Sequence, residues 1–244
     1  MFRRFTPPGD NRRETPVGNE GMAAMLIYAA ADMHGHPRRI AAVVRRVRAH
    51  RPDVVILAGD IVGRRHPEAA LEILNRMGPP VLVIGGNSDY ARLPRLTRVF
   101  PRVQTLDMRS QRLGRLRIVG AGGTLCLPLH SRLRLREKPI AAALCTLLAP
   151  DCILVTHPPP YGIQDRVLGR WHAGSRMVRR LVETHAPAVV ICGHIHEGAG
   201  IARLPSTLVV NCAVGRIGSG ALIRYDGVSA PTAELLPPGE PPDM

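Results

Sequence analysis

The sequence predicts an α/β protein built on a parallel sheet, and three observations carry that reading. Short apolar runs recur at 25–31, 53–58, 81–84, 152–156 and 188–192, as expected of strands buried on both faces. Segments with helical apolar spacing separate the first three runs, which implies right-handed crossovers between parallel strands. Each run then ends in a carboxylate, an amide or an imidazole. In an open α/β sheet the carboxyl ends of the strands are where ligands bind.

Residues 1–21, rich in Arg, Pro, Gly, Asn and Thr without periodicity, read as a flexible leader. A single domain is expected over 22–228, followed by a loosely draped Pro-rich tail over 229–244. Strand one delivers Asp32 and His34. Pro37 suits the first turn of a helix whose buried face is Ile40, Val43, Val44 and Val47, with Arg38, Arg39, Arg45, Arg46 and Arg48 toward water. Strand two ends in Gly59-Asp60. Pro67 opens a second helix with Ala70, Leu71, Ile73 and Leu74 inward, closed by Gly78 and Pro79. Strand three ends in Gly85-Gly86-Asn87-Ser88-Asp89.

The middle is looser. Strands are expected at 103–106 and 115–119, a basic loop over 120–136 and a helix over 137–149. Pattern returns with the run that ends in His157, and a helix over 175–185 leads to 188–196, Ala-Val-Val-Ile-Cys-Gly-His-Ile-His. Short strands near 201–204, 207–211 and 221–225 read as an antiparallel finish.

Composition narrows the function. The chain has 244 residues and a formal charge of +14, nearly all of it from arginine. That charge attracts phosphate esters, nucleotides or nucleic acid. Aromatic residues are only 3% of the chain, too few and too scattered to form a stacking platform, so dedicated nucleic-acid binding is possible but not favoured. No apolar run approaches the roughly 18 residues of a membrane span. Five cysteines without a Cys-x-x-Cys pair read as free thiols in a reducing cytoplasm.

A lone histidine is usually structural, but five strand ends that all offer oxygen or imidazole form a set. Asp32, His34, Asp60, Asn87, His157, His194 and His196 are a mixed donor set without thiolate, suited to Mn²⁺, Fe or Zn²⁺. They are more than one ion needs. A carboxylate able to bridge points to two ions about 3.5–4 Å apart, a pair that clamps a phosphoryl group and acidifies a bound water.

The order Asp-x-His, Gly-Asp, Gly-Asn, a lone His and Gly-His-x-His resembles the calcineurin-like metallophosphoesterases over residues 25–211. The resemblance implies an αββα sandwich of two mixed sheets flanked by helices. It also implies that Asp32, His34, Asp60 and His196 hold one ion, and that Asp60 bridges to a second held by Asn87, His157 and His194. Manganese is the expected metal, with Fe, Zn²⁺, Ni²⁺ or Mg²⁺ as alternatives. The stretch His-Pro-Pro-Pro-Tyr-Gly-Ile-Gln-Asp over 157–165 looks like that of a small, uncapped branch.

One position departs from the family pattern. Its Gly-Asn-His-Asp histidine is Ser88 here, whose hydroxyl cannot act as a general acid near neutral pH, a contribution typically worth about 10²- to 10⁴-fold. His36 is a candidate substitute, and Ser88 and His172 are candidate substrate contacts. Asp89 is a candidate to orient ligands from behind. No particular arginine can be assigned to the phosphate. The expected activity is hydrolysis of small phosphodiesters, activated monoesters or nucleotides by a metal-bridging hydroxide, with Asp60, Asn87 and His194 acting through the metals. The alternatives are a catalytically weak metal-binding scaffold or a nuclease.

Overall fold

The computed structural model describes residues 23–123, 137–215 and 220–237. The expected leader, most of the expected basic loop and the end of the tail lie outside the described residues.

Two six-stranded sheets face each other. The first contains β1 (Met25–Ala30), β2 (Val54–Ala58), β3 (Val81–Ile84), β4 (Val103–Thr105), β13 (Ala221–Tyr225) and β14 (Thr232–Leu235), in the order β14-β13-β1-β2-β3-β4. Strands β1 to β4 run parallel, while β13 and β14 add antiparallel on the free side of β1. The second contains β5 (Arg109–Leu113), β6 (Leu116–Ala121), β7 (Ile153–Thr156), β10 (Val189–Cys192), β11 (Gly200–Leu204) and β12 (Thr207–Asn211), in the order β11-β12-β10-β7-β6-β5. A short hairpin, β8 (Arg166–Val167) with β9 (Trp171–His172), stands apart.

The period-two alternation of buried strands makes the layers. Ile27 and Ala29 of β1, Ile56 of β2 and Leu82 of β3 point inward, against Ile118, Ile153, Val155, Val189, Ile191 and Val210 of the second sheet. Their neighbours Tyr28, Ala30, Val55 and Leu57 point outward beneath α1 (Pro37–His50) and α2 (Pro67–Asn75). On the far side Leu154, Val190 and Val209 meet α4 (Glu137–Cys145) and α5 (Arg176–His185). The result is the expected αββα sandwich. Each half contributes one parallel run, so both sets of carboxyl ends open at one edge of the molecule.

Several elements differ from the sequence expectation. The expected antiparallel finish holds only in part: β11 and β12 pair antiparallel, but the other side of β12 pairs parallel with β10. β13 leaves for the first sheet altogether, where it covers the open side of β1, with Ala221, Ile223 and Tyr225 in the inner core and Leu222 in the outer one. Within the tail, Thr232–Leu235 is an edge strand rather than a loose drape, with Ala233 packed on the core. β5 was not expected, since its residues are mostly polar and its order comes from pairing with β6. A four-residue helix, α3 (Leu93–Leu96), follows the Asn87 loop.

Candidate metal centre

The site is made where the loops after β1, β2, β3, β7 and β10 converge. Four of its residues, Asp32, His34, Asp60 and His194, have φ between 52° and 69°. Side chains other than glycine avoid this left-handed region, and its concentration at one edge marks backbone held to aim side chains. Glycines make the close approaches possible. A Cβ on Gly86 would meet the Asp60 carboxylate, and one on Gly193 would meet Ala31 and the Asp32 carboxylate.

All seven expected ligand residues come together, four from the first sheet and three from the second. The Asp60 Oδ2 lies 3.7 Å from His34 Nδ1 and 3.6 Å from His157 Nε2. Its other oxygen accepts the Ser88 N–H at 2.8 Å, which fixes the carboxylate plane between two clusters. On one side stand Asp32, His34 and His196, and on the other Asp60 and His157 meet Asn87 and His194. The Asp32 Oδ2 accepts the backbone N–H of His194 at 2.8 Å, and its Oδ1 lies 3.3 Å from His196 Nε2.

The second cluster provides a test of fit for a cation. His157 Nδ1 must carry a proton, because it donates to the Ala58 carbonyl at 2.8 Å. In the neutral ring Nε2 then presents the lone pair, 3.0 Å from the Asn87 Oδ1 and 3.2 Å from His194 Nδ1. The Asn87 oxygen is 3.1 Å from that same Nδ1. Two imidazole nitrogens and an amide oxygen converge here on one small volume, and this donor set fits a divalent ion. Burial, reinforced by the neighbouring His157, pushes the His194 pKa down to about 4, which keeps it in the neutral, ligating form. Burial alone would raise Asp32, but hydrogen bonding with His196 and the nearby imidazoles carry it below the usual carboxylate range.

The supporting groups were only partly legible. Asp89 accepts the N–H groups of Gly86, Ile61 and Val62 at 2.7, 2.6 and 3.1 Å, clamping the Asp60 loop to the Asn87 loop. Arg39, expected to face water, is half-buried and donates to the Asp32 carbonyl at 2.8 Å. The Ala58 carbonyl has no sequence signal at all, because every residue carries one.

The remaining candidates sit farther out. His36 is exposed at the start of α1 and makes no side-chain cap. Ser88 is exposed, tied to the centre through its backbone. His172 is bonded through Nδ1 to the Asp165 Oδ1 at 2.6 Å, while the Asp165 Oδ2 takes the N–H groups of Gly162 and Gly174 at 2.8 and 3.0 Å. Together His172, Asp165 and Arg166 line a shallow pocket with Glu197 and Gly198, which directly follow His196.

Residues 25–198 match the family described as calcineurin-like phosphoesterase. The chain belongs to that family, and it is a metal-dependent phosphoesterase. A protein of Methanocaldococcus jannaschii, the uncharacterized protein MJ1162, is 26% identical over 199 residues, covering 77% of this chain and 87% of that one. Among solved structures, a dimetal phosphatase from Danio rerio aligns with a TM-score of 0.55 at 12% identity, over 87% of this chain and 99% of its own. A novel archaeal phosphodiesterase aligns at 0.52 and 15% identity, over 87% of this chain and 100% of its own. Both likenesses show the shared fold. Among the described residues, no helix is long and apolar enough to cross a membrane.

Proposed function

We propose that the chain hydrolyses small phosphodiesters or activated monoesters, nucleotides among them, at two divalent cations. Asp32, His34, Asp60 and His196 would hold one, and Asp60, Asn87, His157 and His194 the other. The observation that carries this reading is the Asp60 carboxylate, set between two clusters of convergent donors. When bound, such ions lower the pKa of a water and neutralise charge on phosphoryl oxygens.

The chain's own groups define the rest. Ala58 holds His157 in one tautomer, Asp32 orients His194 and His196 together, and Asp89 keeps the Asp60 and Asn87 loops in register. Ser88 offers a hydrogen bond but no acid, which favours substrates whose leaving group needs no proton. The archaeal phosphodiesterase with this fold is in keeping with a diester substrate. Manganese is the proposed metal because carboxylate and amide oxygens stand beside imidazoles. Cys145, Cys152, Cys192 and Cys212 are free thiols, in keeping with a reducing compartment such as the cytoplasm. Nucleic acid is not the favoured partner.

The test is a metal-by-substrate screen. Purified protein with Mn²⁺, Fe²⁺, Ni²⁺, Zn²⁺ or Mg²⁺ should turn over bis(4-nitrophenyl) phosphate, and Asp60→Ala should abolish it. Turnover that survives Asp60→Ala, or none with any metal, overturns the reading.

A further inference from the structure

The gap at position 88 has a neighbour that composition alone conceals. The chain after β3 enters a helical turn: Tyr90 N–H donates to the Gly86 carbonyl at 3.2 Å, and Arg92 and Leu93 N–H both donate to Asp89, at 3.0 and 2.9 Å. Residues 88 and 92 are therefore one turn apart and share a face. The Arg92 side chain folds back along that face. One guanidinium nitrogen lies 3.3 Å from the Ser88 carbonyl and 3.4 Å from the Gly63 carbonyl.

Those two carbonyls locate the cation. Ser88 bonds through its own N–H to Asp60. Gly63 backs onto Gly35, next to His34, so closely that a Cβ on Gly35 would strike the Gly63 backbone. Arg92 thus stands at the rim where the loops carrying His34, Asp60 and Asn87 meet. Arg64 and Arg65, which follow Gly63 in the chain, are exposed.

The guanidinium is also underused. Both of its bonds are long and come from a single nitrogen, and it makes no ion pair with a described residue. A guanidinium carries five donors in a fork that matches two phosphate oxygens, and it stays charged at any working pH.

We infer that Arg92 is the residue that contacts the substrate's phosphoryl group where the family pattern has a histidine, so that a fixed cation replaces a titrating one. This rests on the proposed hydrolysis at the metal centre. Ser88 is short, and the Arg92 guanidinium lies against its carbonyl from the next turn.

The competing reading is that Arg92 only staples the Gly63 and Ser88 loops. Full-length protein loaded with Mn²⁺ separates the two. Arg92→Ala should weaken binding of inorganic phosphate, followed by calorimetry, at least about tenfold. It should lower kcat/KM for bis(4-nitrophenyl) phosphate about 100-fold, the scale of losing one charge-stabilising donor. Metal content and Tm should hold, and added guanidinium ion should restore part of the rate, with Arg92→Lys falling between. Values within twofold of the parent overturn the inference. So does a loss of rate that accompanies loss of metal and Tm without rescue. If the parent binds phosphate through Arg92 yet hydrolyses no ester, the anion contact stands and the hydrolase reading falls. If the parent hydrolyses esters and Arg92→Ala is silent, the reverse holds. A parent that neither binds phosphate nor hydrolyses esters overturns both.

Discussion

Asp32 and His194 are joined through the backbone: the carboxylate on the first sheet accepts the His194 N–H of the second at 2.8 Å. Its other oxygen faces His196 Nε2 at 3.3 Å. One carboxylate therefore aligns a segment delivered by a strand 157 or more residues away in the chain. Replacing it should disturb both proposed ion sites together. Asp32→Ala is expected to bind fewer than about two ions per chain and to lose at least about 100-fold in kcat/KM. Elemental analysis of dialysed protein beside steady-state rates checks this; full metal occupancy would contradict it.

Asp89 should matter for stability as well as metal binding. Its two oxygens satisfy three backbone N–H groups, and Asp89→Ala strands all of them in a buried loop. Each buried orphan costs about 1–3 kcal/mol before relaxation, so a net loss of about 2–4 kcal/mol is expected in urea melts of metal-free protein. Metal affinity should fall about 10- to 100-fold. A change below about 1 kcal/mol would show that water replaces the carboxylate.

Asp107 gives a pH signature away from the ligands. It accepts the Gly85 N–H at 3.2 Å, while its Oδ2 is buried and has no partner among the described residues. Burial raises its pKa from 3.8 to about 6. A carboxyl whose folded pKa is raised keeps a proton that the unfolded chain releases, so stability falls as pH rises from 3.8 to about 6. The cost is complete above that window. Asp107→Asn should therefore stabilise the protein by about 1–2 kcal/mol at pH 8, allowing for partial exposure. Near pH 3.5 the gain should vanish. Urea titrations of both proteins at the two pH values decide it; a pH-independent difference would point to packing instead.

Gly193→Ala tests the close approach at the end of β10. The added methyl would sit against Ala31 and 2.6 Å from the Asp32 Oδ2. Overpacking of this kind costs about 1–3 kcal/mol, and here it pushes directly on a proposed ligand. Lower Tm together with weaker Mn²⁺ binding is expected, with the global fold retained by circular dichroism.

The single tryptophan can report on the Asp165–His172 pair. Trp171 is 69% exposed on β9, next to His172. Asp165→Ala removes the anchor for His172 and for the Gly162 and Gly174 N–H groups, so the hairpin should loosen. Acrylamide quenching of Trp171 should rise and fluorescence anisotropy should fall. If His172 also touches substrate, KM for a diester should increase severalfold while metal content stays constant.

The strand ends were legible because burial and chemistry coincide there. An apolar run of four to six residues followed by Asp, Asn or His is visible without coordinates. Sheet membership was less so: β12 and β13 look alike in sequence, and only the open side of β1 decides where β13 pairs. β5 and β14 were hidden for a related reason, since edge strands carry polar residues and draw their order from a neighbour. Groups acting through backbone atoms, such as the Ala58 carbonyl, leave no trace in residue type. Arg39 and Arg92 were hidden differently. Among so many arginines, a functional one looks like a solvated one until its hydrogen bonds are drawn.

The division of the proposed ligands between two sheets has a thermodynamic consequence. Asp32, His34, Asp60 and Asn87 come from one sheet and His157, His194 and His196 from the other, so each ion cross-links the two halves of the sandwich. Such ions would act as removable sutures. Each adds stability in proportion to the logarithm of its free concentration over its dissociation constant. Chelation would then unpick the seam between the sheets before it disturbed either one.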